Sequence, residues 1–446
     1  MAKEFPIDTY QYIDTFISHE QEGLYLTIPF VMPFGMASLT LKYSYARRDR
    51  DEVDMPQGVF TSRPEINIID LGLIAPDGTL VGASGSDKTS IHVSETWATP
   101  GYCPTQLVPG EWHILVGAYK VAPEGVAIAY ELDMIGKCRR LLKGDLHVHT
   151  LASDGVLTVA ELAQHARRHG LDFLAITDHN QMARADALPN IPEFTLVPGV
   201  EWTHFKGHAT FIGVDQPYDG SFAANTPEEV TARFMSARDR GALITIAHPF
   251  DENCPFRFDM ESLPFDCLEI WNGPMRVSNL RALGYWHSLL LAGKKIPVCG
   301  GSDYHRSQLF LFPGGPTTCV YAESAGASDI LEALRCGHAY IVYAPDGPVL
   351  EFRVDEERIM GDSVPFPAVS QVEIEVKGLR AGDVLQVITG QGSTSLLTAT
   401  TDGDFEGAYT MTAPGFARVE ILREFIPGVP PLPALISNPI YFDAVD

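Results

Sequence analysis

The sequence has few basic residues and no long apolar run, and each lack excludes a class of protein. Lys and Arg number 32 against 57 Asp and Glu, so the formal net charge of the 446 residues is −25. Nucleic acid and anionic membranes are bound through clustered basic side chains, so we expect neither as a partner. No segment is apolar enough to span a bilayer. The N-terminus also lacks the pattern of a secretory signal, so a cytoplasmic location is expected.

Cysteine pairs are missing as well. The seven cysteines are an odd number, they are scattered, and none forms a C-x-x-C pair. This argues against a disulfide framework and against a structural zinc knuckle, and it predicts reduced thiols in the core. The length is too great for one ordinary domain, so two or three are expected.

The pattern of apolar and polar residues divides the chain into three segments. Residues 1–141 alternate short apolar runs with turn signals, which predicts an N-terminal β-sandwich-like domain. Residues 142–345 alternate short apolar strands with helices, the pattern of a parallel α/β domain. Residues 346–446 return to strict alternation and predict a C-terminal β domain. The predicted fold class is therefore α/β, with one α/β domain between two β domains.

Two helices of the middle segment carry complete start and stop signals. Thr158 is a predicted N-cap, Glu161 completes a capping box, and Gly170 marks the end of the helix. The stretch "NTPEEVTARFMSARDRG" repeats these signals and ends at Gly241.

Polar clusters flank seven apolar segments of the middle region. These segments are "LLKGDLHVH", "DFLAITDH", "TLVPGVEW", "HATFIGV", "ALITIAHP", "CLEIWN" and "IPVCGGSDYH". Active sites of parallel barrels are assembled at the C-terminal ends of the strands, so the clusters should converge in space. We therefore predict a (β/α) barrel of about seven strands.

The clusters have the composition of a metal site. His147 and His149 lie two apart on a strand, so both side chains point the same way and can bind one ion. Six further residues should converge on them: His179, Glu201, His208, His248, Asp303 and His305. Imidazoles with carboxylates suit zinc, manganese or iron, and a shared carboxylate can hold two ions, so more than one metal is expected.

Any one histidine at a strand end is more often a hydrogen-bonded surface or core residue than a ligand. Ten of the 14 histidines, however, lie between residues 147 and 305, and most of them end strands. Together they favour a metal site. Asp145 and Asp178 flank the ligands and could either orient imidazoles or cap helices.

The motifs "DLHVHTLASDG", "AITDHN", "GVEW", "AHPF" and "GSDYH", in this order, resemble those of the PHP (polymerase and histidinol phosphatase) superfamily. The resemblance covers about residues 142–345 and implies a distorted (β/α)7 PHP barrel. The flanking β segments and the closing "SNPIYF" resemble the carbaryl-hydrolase-like (CehA/McbA) branch.

The resemblance also implies a set of ligands for two or three divalent ions. His147, His149, Glu201 and Asp303 would hold one ion, and Glu201 would bridge it to a second ion held by His208 and His248. A third position would be surrounded by Asp154, His179 and His305, which are also the candidate catalytic residues. Several members place His where this chain has Asp154. If the third position is empty, His179 or His305 would donate a proton to the leaving group.

The implied activity is hydrolysis by a metal-bound hydroxide, which requires no Ser or Cys nucleophile. Neither a G-x-S-x-G motif nor a Walker loop is present. The favoured substrate is a small phosphoester. The alternatives are a carboxyl ester or aryl carbamate, for which Trp202, Phe256 or Trp271 could supply an apolar wall, and a non-catalytic metal-binding accessory role.

Five residues are candidate substrate contacts, although an ordinary surface role fits each equally well: Lys206, Arg257, Asn272, Arg276 and Arg306. The expected partner is a small-molecule substrate, and an oligomer is compatible with the sequence.

Overall fold

The structure is a computed structural model that describes residues 7–48 and 65–445. The chain divides into two compact units. The first comprises residues 1–138 with 190–193, and the second comprises residues 139–189 with 194–446. The second unit thus holds the predicted middle domain, apart from residues 190–193, and the predicted C-terminal β segment. The domain boundaries at 141/142 and 345/346 stay a prediction.

The described part of the first unit is built from antiparallel strands. Two four-stranded sheets have the orders β1-β8-β3-β6 and β2-β7-β4-β5. Side chains of both sheets, such as Leu41, Leu71, Trp112 and Tyr130, are fully buried in one common core. The strands are β1 Thr9–Ile17, β2 Tyr25–Met32, β3 Met36–Tyr45, β4 Ile68–Ile74, β5 Leu80–Ser84, β6 Ser90–Ser94, β7 Gly110–Lys120 and β8 Val126–Gly136.

The second unit begins with strands and helices that alternate along the chain. They are β9 Arg140–Val148, α1 Val159–Arg168, β10 Phe173–Ile176, β11 Thr195–Val197, β12 Gly199–His204, β13 Gly207–Ile212, α2 Pro227–Asp239, β14 Leu243–Ala247, β15 Cys267–Asn272, α3 Val277–Leu291, β16 Val298–Gly301, β17 Thr317–Ala322, α4 Ala327–Cys336 and β18 Ala339–Val342. Single-turn 3₁₀ helices lie at His19–Gln21, Ala185–Ala187 and Met260–Ser262.

Only strands follow in the described remainder of the chain. They are β19 Val349–Arg353, β20 Ser363–Phe366, β21 Gln371–Leu379, β22 Val384–Thr389, β23 Gly392–Thr398, β24 Gly403–Thr410, β25 Gly415–Arg423, β26 Leu432–Ser437 and β27 Ile440–Ala444. Several of them continue a large sheet of the order β11-β10-β9-β17-β18-β26-β25-β22-β23.

The fold is a mixed α/β arrangement with many strands and few helices, and the predicted closed (β/α)7 barrel is not confirmed. A second sheet of the order β12-β13-β14-β15-β16 stands beside the large one. Its pairs β14–β15 and β15–β16 are parallel, as are β9–β10 and β10–β11. The pairs β12–β13, β13–β14 and β9–β17 are antiparallel, so the expectation of parallel strands throughout is wrong. The reversal between β12 and β13 is made by a tight turn at Phe205 and Lys206.

Both predicted capping boxes are confirmed. Thr158 accepts a hydrogen bond from the Glu161 amide at the start of α1, and Thr226 does the same for Glu229 at the start of α2. A glycine with positive φ follows the end of each helix, at residues 170 and 241. These local signals involve only neighbouring residues, so they can be predicted without knowledge of the fold.

Alternation along β12 separates the core from the candidate site. Trp202 packs into the core with Phe211, Phe234 and Trp286. Glu201 lies on the other side of the strand, because successive side chains point to opposite faces. In the described part of the chain, no helix has the length and apolar character to cross a membrane.

Candidate metal centre

The structure brings the nine candidate ligands into one cluster. Each has a side-chain atom within 3.4 Å of another member. The cluster is assembled from β9 and the segment after it, the segment after β10, the hairpin β12–β13, the residue after β14 and the segment after β16. These are the polar ends of the apolar segments, so the expected convergence occurs although the strands are not all parallel.

Asp145 fixes β9 against the segment after β16. Its carboxylate accepts hydrogen bonds from the backbone amides of His147 (3.2 Å), Ser302 (2.9 Å) and Gly314 (2.7 Å). Complete burial nevertheless raises the pKa of Asp145 to about 6. A glycine is required at position 301, because a Cβ there would lie 2.4 Å from the Cβ of His147. The strand that carries His147 therefore has little freedom to shift.

Asp178 holds the loop that carries Asp154. Its carboxylate accepts from the Thr150 amide and hydroxyl, both at 2.7 Å, and from the Ser153 hydroxyl at 2.6 Å. At Gly155 an added Cβ would lie 2.3 Å from the carbonyl oxygen of His149, so the loop closes tightly on the strand. Asp145 and Asp178 thus bind backbone amides and hydroxyls, a role that differs from both alternatives that the sequence suggested.

Glu201 is the centre of the cluster and is completely buried. Five imidazoles lie within 3.5 Å of its carboxylate: His147 (3.4 Å), His149 (3.5 Å), His179 (2.6 Å), His208 (2.9 Å) and His248 (3.2 Å). Burial alone would raise the pKa of Glu201, but the imidazoles outweigh it and hold the pKa well below its usual range. Glu201 is therefore an anion, and all five imidazoles face its one carboxylate.

Asp303 is the second shared carboxylate. Its Oδ1 lies 3.0 Å from His149 Nε2, 3.5 Å from His147 Nε2 and 3.6 Å from His305 Nδ1. Burial opposes ionisation, yet the neighbouring imidazoles lower the pKa of Asp303. In return, the carboxylates overcome the effect of burial and raise the pKa of His147 well above the ordinary value, and Cys254 together with the carboxylates does the same for His248. Burial prevails at His149, whose pKa is lowered.

Asp154, His179 and His305 form the outer part of the cluster. Asp154 lies 3.1 Å from His305 Nε2, 3.7 Å from His179 Nε2 and 3.8 Å from His149 Nδ1. The Nδ1 atom of His305 lies 2.8 Å from the carbonyl oxygen of Asp303, which can only accept a hydrogen bond. His305 Nδ1 therefore carries a proton, and its Nε2 atom faces Asp154.

Glu269 belongs to the site although the sequence interpretation missed it. Its Oε1 lies 3.1 Å from His147 Nδ1, and its Oε2 accepts from the His248 amide at 2.8 Å. Asn272, a candidate substrate contact, donates to Glu269 (3.2 Å) and to Asp303 (3.4 Å). Asn272 thus lies within the carboxylate network. The sequence contained one indication of this role, because Glu269 is a carboxylate in the otherwise apolar start of "CLEIWN".

Cys254 also approaches the site. Its sulfur lies 3.7 Å from His248 Nδ1 and donates to Asp251 at 3.5 Å. None of the seven cysteines, all of which lie in the described ranges, forms a disulfide, and three of them, Cys267, Cys299 and Cys319, are buried. The expectation of core thiols is therefore wrong for Cys254, which is half-buried, and for the exposed Cys103, Cys138 and Cys336.

The four basic candidate contacts occupy different positions. Lys206 and Arg257 line a cleft beside the start of α2. Arg276 is half-exposed and forms an ion pair with Asp251 at 3.7 Å. Arg306 is exposed.

The donor set fits divalent metal ions. His147 Nε2, His149 Nε2 and Glu201 Oε2 are buried without a hydrogen-bond partner of acceptable geometry, although other ligands lie within 3.5 Å. Buried polar atoms are rarely left without partners, and a shared ion would satisfy all three. Five groups have one ligand atom per residue within 4.8 Å of one another: His149/Asp154/His179/His305, His208/His248/Cys254, His147/His149/Glu201, His147/His248/Asp303 and His179/Glu201/His208.

Comparison with known families agrees with this geometry. Residues 145–252, which contain seven of the nine candidate ligands, match the family model of the PHP domain. A 3',5'-nucleoside bisphosphate phosphatase of Chromobacterium violaceum is 33% identical over 110 residues, which are 23% of this chain and 38% of that protein. The 5'-3' exoribonuclease Rnm of Salmonella typhimurium is 36% identical over 103 residues, which are 20% and 34% of the two chains.

The chain thus matches little more than a third of the length of these two relatives. Among solved structures, a two-domain protein of Bacteroides vulgatus containing a predicted PHP-like metal-dependent phosphoesterase is 15% identical. The match covers 67% of this chain and 95% of that protein's chain, with a TM-score of 0.38. The carbaryl-hydrolase-like branch is not among these findings. The exoribonuclease relative weakly conflicts with the expectation, drawn from net charge, that nucleic acid is no partner.

Proposed function

We propose that this chain is a metal-dependent phosphoesterase that uses two or three divalent ions of zinc, manganese or iron on a small phosphoester. The observation that carries the proposal is the buried carboxylate of Glu201, which five imidazoles approach within 3.5 Å. A structural histidine needs one hydrogen-bond partner, whereas five imidazoles converge here on a single carboxylate. The names of both relatives, a bisphosphate phosphatase and an exoribonuclease, favour phosphoesters.

The proposed ligands follow the contacts. One ion would be held by His147, His149, Glu201 and Asp303. Glu201 would also be a ligand of a second ion, together with His208 and His248. Asp154, His179 and His305, which belong to one group of neighbouring ligand atoms, would surround a third ion. Divalent ions bound here would lower the pKa of a water molecule and neutralise charge on phosphate oxygens.

The remaining side chains orient the ligands. Glu269 accepts from His147 Nδ1, which leaves Nε2 directed at Glu201 and Asp303. Asn272 restrains both Glu269 and Asp303 through its amide nitrogen. Such partners fix the tautomer and direction of a ligand.

If the third position is empty, proton transfer to the leaving group is assigned to His305. Its Nδ1 proton is directed at the Asp303 carbonyl, so Nε2 is the atom that can hold or release a second proton. The side chain is 25% exposed, which gives it access to a bound substrate. His179 is the alternative donor, because its Nε2 also faces Asp154.

The decisive experiment compares substrate classes on one preparation. The purified chain, with its metal content measured, is assayed on p-nitrophenyl phosphate, bis(p-nitrophenyl) phosphate, p-nitrophenyl acetate and a 1-naphthyl carbamate. We expect turnover of a phosphoester that a chelator abolishes and added metal restores. Turnover of the ester or carbamate alone would replace the proposal with the carbaryl-hydrolase-like alternative. Full metal content without any turnover would favour the accessory role.

A further inference from the structure

The thiol of Cys254 lies beside the candidate metal centre, and the proposed function does not use it. The side chain is half-buried, and its sulfur lies 3.7 Å from His248 Nδ1. The other ring nitrogen of His248, Nε2, lies 3.2 Å from Glu201 Oε1. The imidazole of His248 is therefore held between a thiol on one side and the buried carboxylate on the other.

Hydrogen-bond chemistry fixes the direction of these contacts. A neutral imidazole has one N–H and one lone pair, and a metal ion takes the lone pair. If Nε2 is the ligand atom, Nδ1 carries the proton and donates it to sulfur, which is a weak acceptor. The hydrogen of the thiol is directed at Asp251 Oδ1, 3.5 Å away, and a carboxylate can only accept. His248 thus donates to Cys254, and Cys254 donates to Asp251.

The segment that carries Cys254 is turned back toward His248 by its own hydrogen bonds. Asp251 Oδ1 also accepts from the backbone amides of Asn253 (2.8 Å) and Cys254 (3.2 Å). The amide of Asp251 donates to the His248 carbonyl at 3.0 Å. His248 itself has a φ of +27°, which is uncommon for a residue with a side chain. Such strain persists only where the surrounding structure holds it, so this loop fixes the thiol against the imidazole.

We propose that Cys254 is a positioning residue whose sulfur accepts the Nδ1 proton of His248 and thereby directs Nε2 at the second ion, beside Glu201. The inference rests on the proposed function. Glu269 gives His147 the same kind of support, because its carboxylate lies 3.1 Å from His147 Nδ1. Partners of this kind fix the tautomer and the direction of a metal ligand and so strengthen metal binding.

A direct bond from Cys254 to an ion is the competing role. Cys254, His208 and His248 form one of the groups whose ligand atoms lie within 4.8 Å of one another. The sulfur faces Nδ1 of His248, however, and a neutral imidazole has a single lone pair. An ion bound by sulfur and Nδ1 would therefore leave Nε2 protonated and unable to bind the ion beside Glu201.

The test measures the Kd of each bound Zn²⁺ ion by equilibrium dialysis of the metal-stripped protein against buffered free Zn²⁺. Cys254→Ala removes the acceptor and should raise one Kd by about 10- to 100-fold while the Kd of the ion at His147 stays unchanged. Cys254→Ser keeps an atom that both accepts and donates, so it should recover most of the lost affinity.

The chain offers a matched control, because Cys103 is an exposed cysteine of the first unit. Cys103→Ala should leave every Kd unchanged. Thermal melting of the metal-stripped Cys254→Ala and Cys254→Ser variants should give the same Tm, which separates a loss of orientation from a loss of folding.

Cobalt distinguishes positioning from ligation. The Co²⁺-loaded wild-type protein should show no sulfur-to-cobalt charge-transfer absorption in the near ultraviolet, because the sulfur contacts the imidazole and not the ion. An absorption of this kind that Cys254→Ser abolishes would make Cys254 a ligand and would overturn the positioning role.

The two proposals fail in different ways. Unchanged Kd values in Cys254→Ala, or equal losses in Cys254→Ala and Cys254→Ser, would overturn the inference while the two-ion site stands. A wild-type protein that binds fewer than two ions would refute the proposed function and the positioning role together. Neither result depends on turnover, so the role of Cys254 is tested even in a chain that hydrolyses no phosphoester.

Discussion

Neutralising Glu201 should remove metal ions without unfolding the protein. The substitution Glu201→Gln keeps the size of a side chain that is completely buried, so the packing around it is retained. It removes the negative charge that five imidazoles approach between 2.6 and 3.5 Å. An amide oxygen is also a weaker ligand than a carboxylate, and the amide nitrogen cannot bind a cation.

The magnitude follows from the cost of an unpaired buried charge. Removal of one partner of a buried pair costs about 3–5 kcal/mol, which corresponds to a rise in Kd on the order of 10²- to 10⁴-fold. Glu269→Gln is the matched comparison, because Glu269 lies 3.1 Å from the other nitrogen of His147 and orients it. Loss of such an orienting carboxylate weakens metal binding by only about 10- to 100-fold.

The assay is metal content per chain after dialysis against a series of buffered free-metal concentrations, with thermal melting as the control for folding. Glu201→Gln should need a higher free-metal concentration than Glu269→Gln to reach the same metal content per chain. It should also show no turnover. Wild-type metal affinity in Glu201→Gln, or a loss in Glu269→Gln as large as in Glu201→Gln, would refute the assignment of Glu201 as the shared ligand.

Two further predictions concern protons and packing. Carboxylates hold the pKa of His147, and Cys254 with the carboxylates holds that of His248, well above the ordinary value in the metal-free protein, so metal binding must release protons and should weaken as the pH falls. Calorimetry at pH 6.5 in two buffers of different ionisation enthalpy should detect this release, and identical heats in both buffers would contradict it. Gly301→Ala should lower the free energy of unfolding of the metal-stripped protein by about 1–3 kcal/mol, because its Cβ would lie 2.4 Å from the Cβ of His147. Gly284→Ala, whose Cβ would meet nothing within 4 Å, is the control in urea denaturation, and equal stability of the two variants would show that position 301 has room.

The sequence predicts those parts of the site that depend on local geometry. His147 and His149 converge because alternate residues of a strand share a face, and the capping boxes form because their partners lie three residues apart. Strand direction is not encoded in alternation, since parallel and antiparallel strands have the same period. The reversal after His204 was therefore missed.

Glu269 and Cys254 show a second limit. Glu269 contacts His147 from a strand 122 residues later in the chain, and only the register of β15 against β16 brings it inward. Cys254 reaches His248 through the irregular segment that follows β14. Contacts of this kind depend on tertiary packing, which no local pattern records.

The central claim is tested most directly by titrating metal-stripped protein with Mn²⁺ or Zn²⁺ while phosphate release and bound metal per chain are measured together. The substrates are p-nitrophenyl phosphate and adenosine 3',5'-bisphosphate. We predict no release below one ion per chain and a steep rise as the second ion binds, because Glu201 must be shared for the site to be complete. Release by the metal-stripped protein, or two bound ions without release from either phosphoester, would contradict the account.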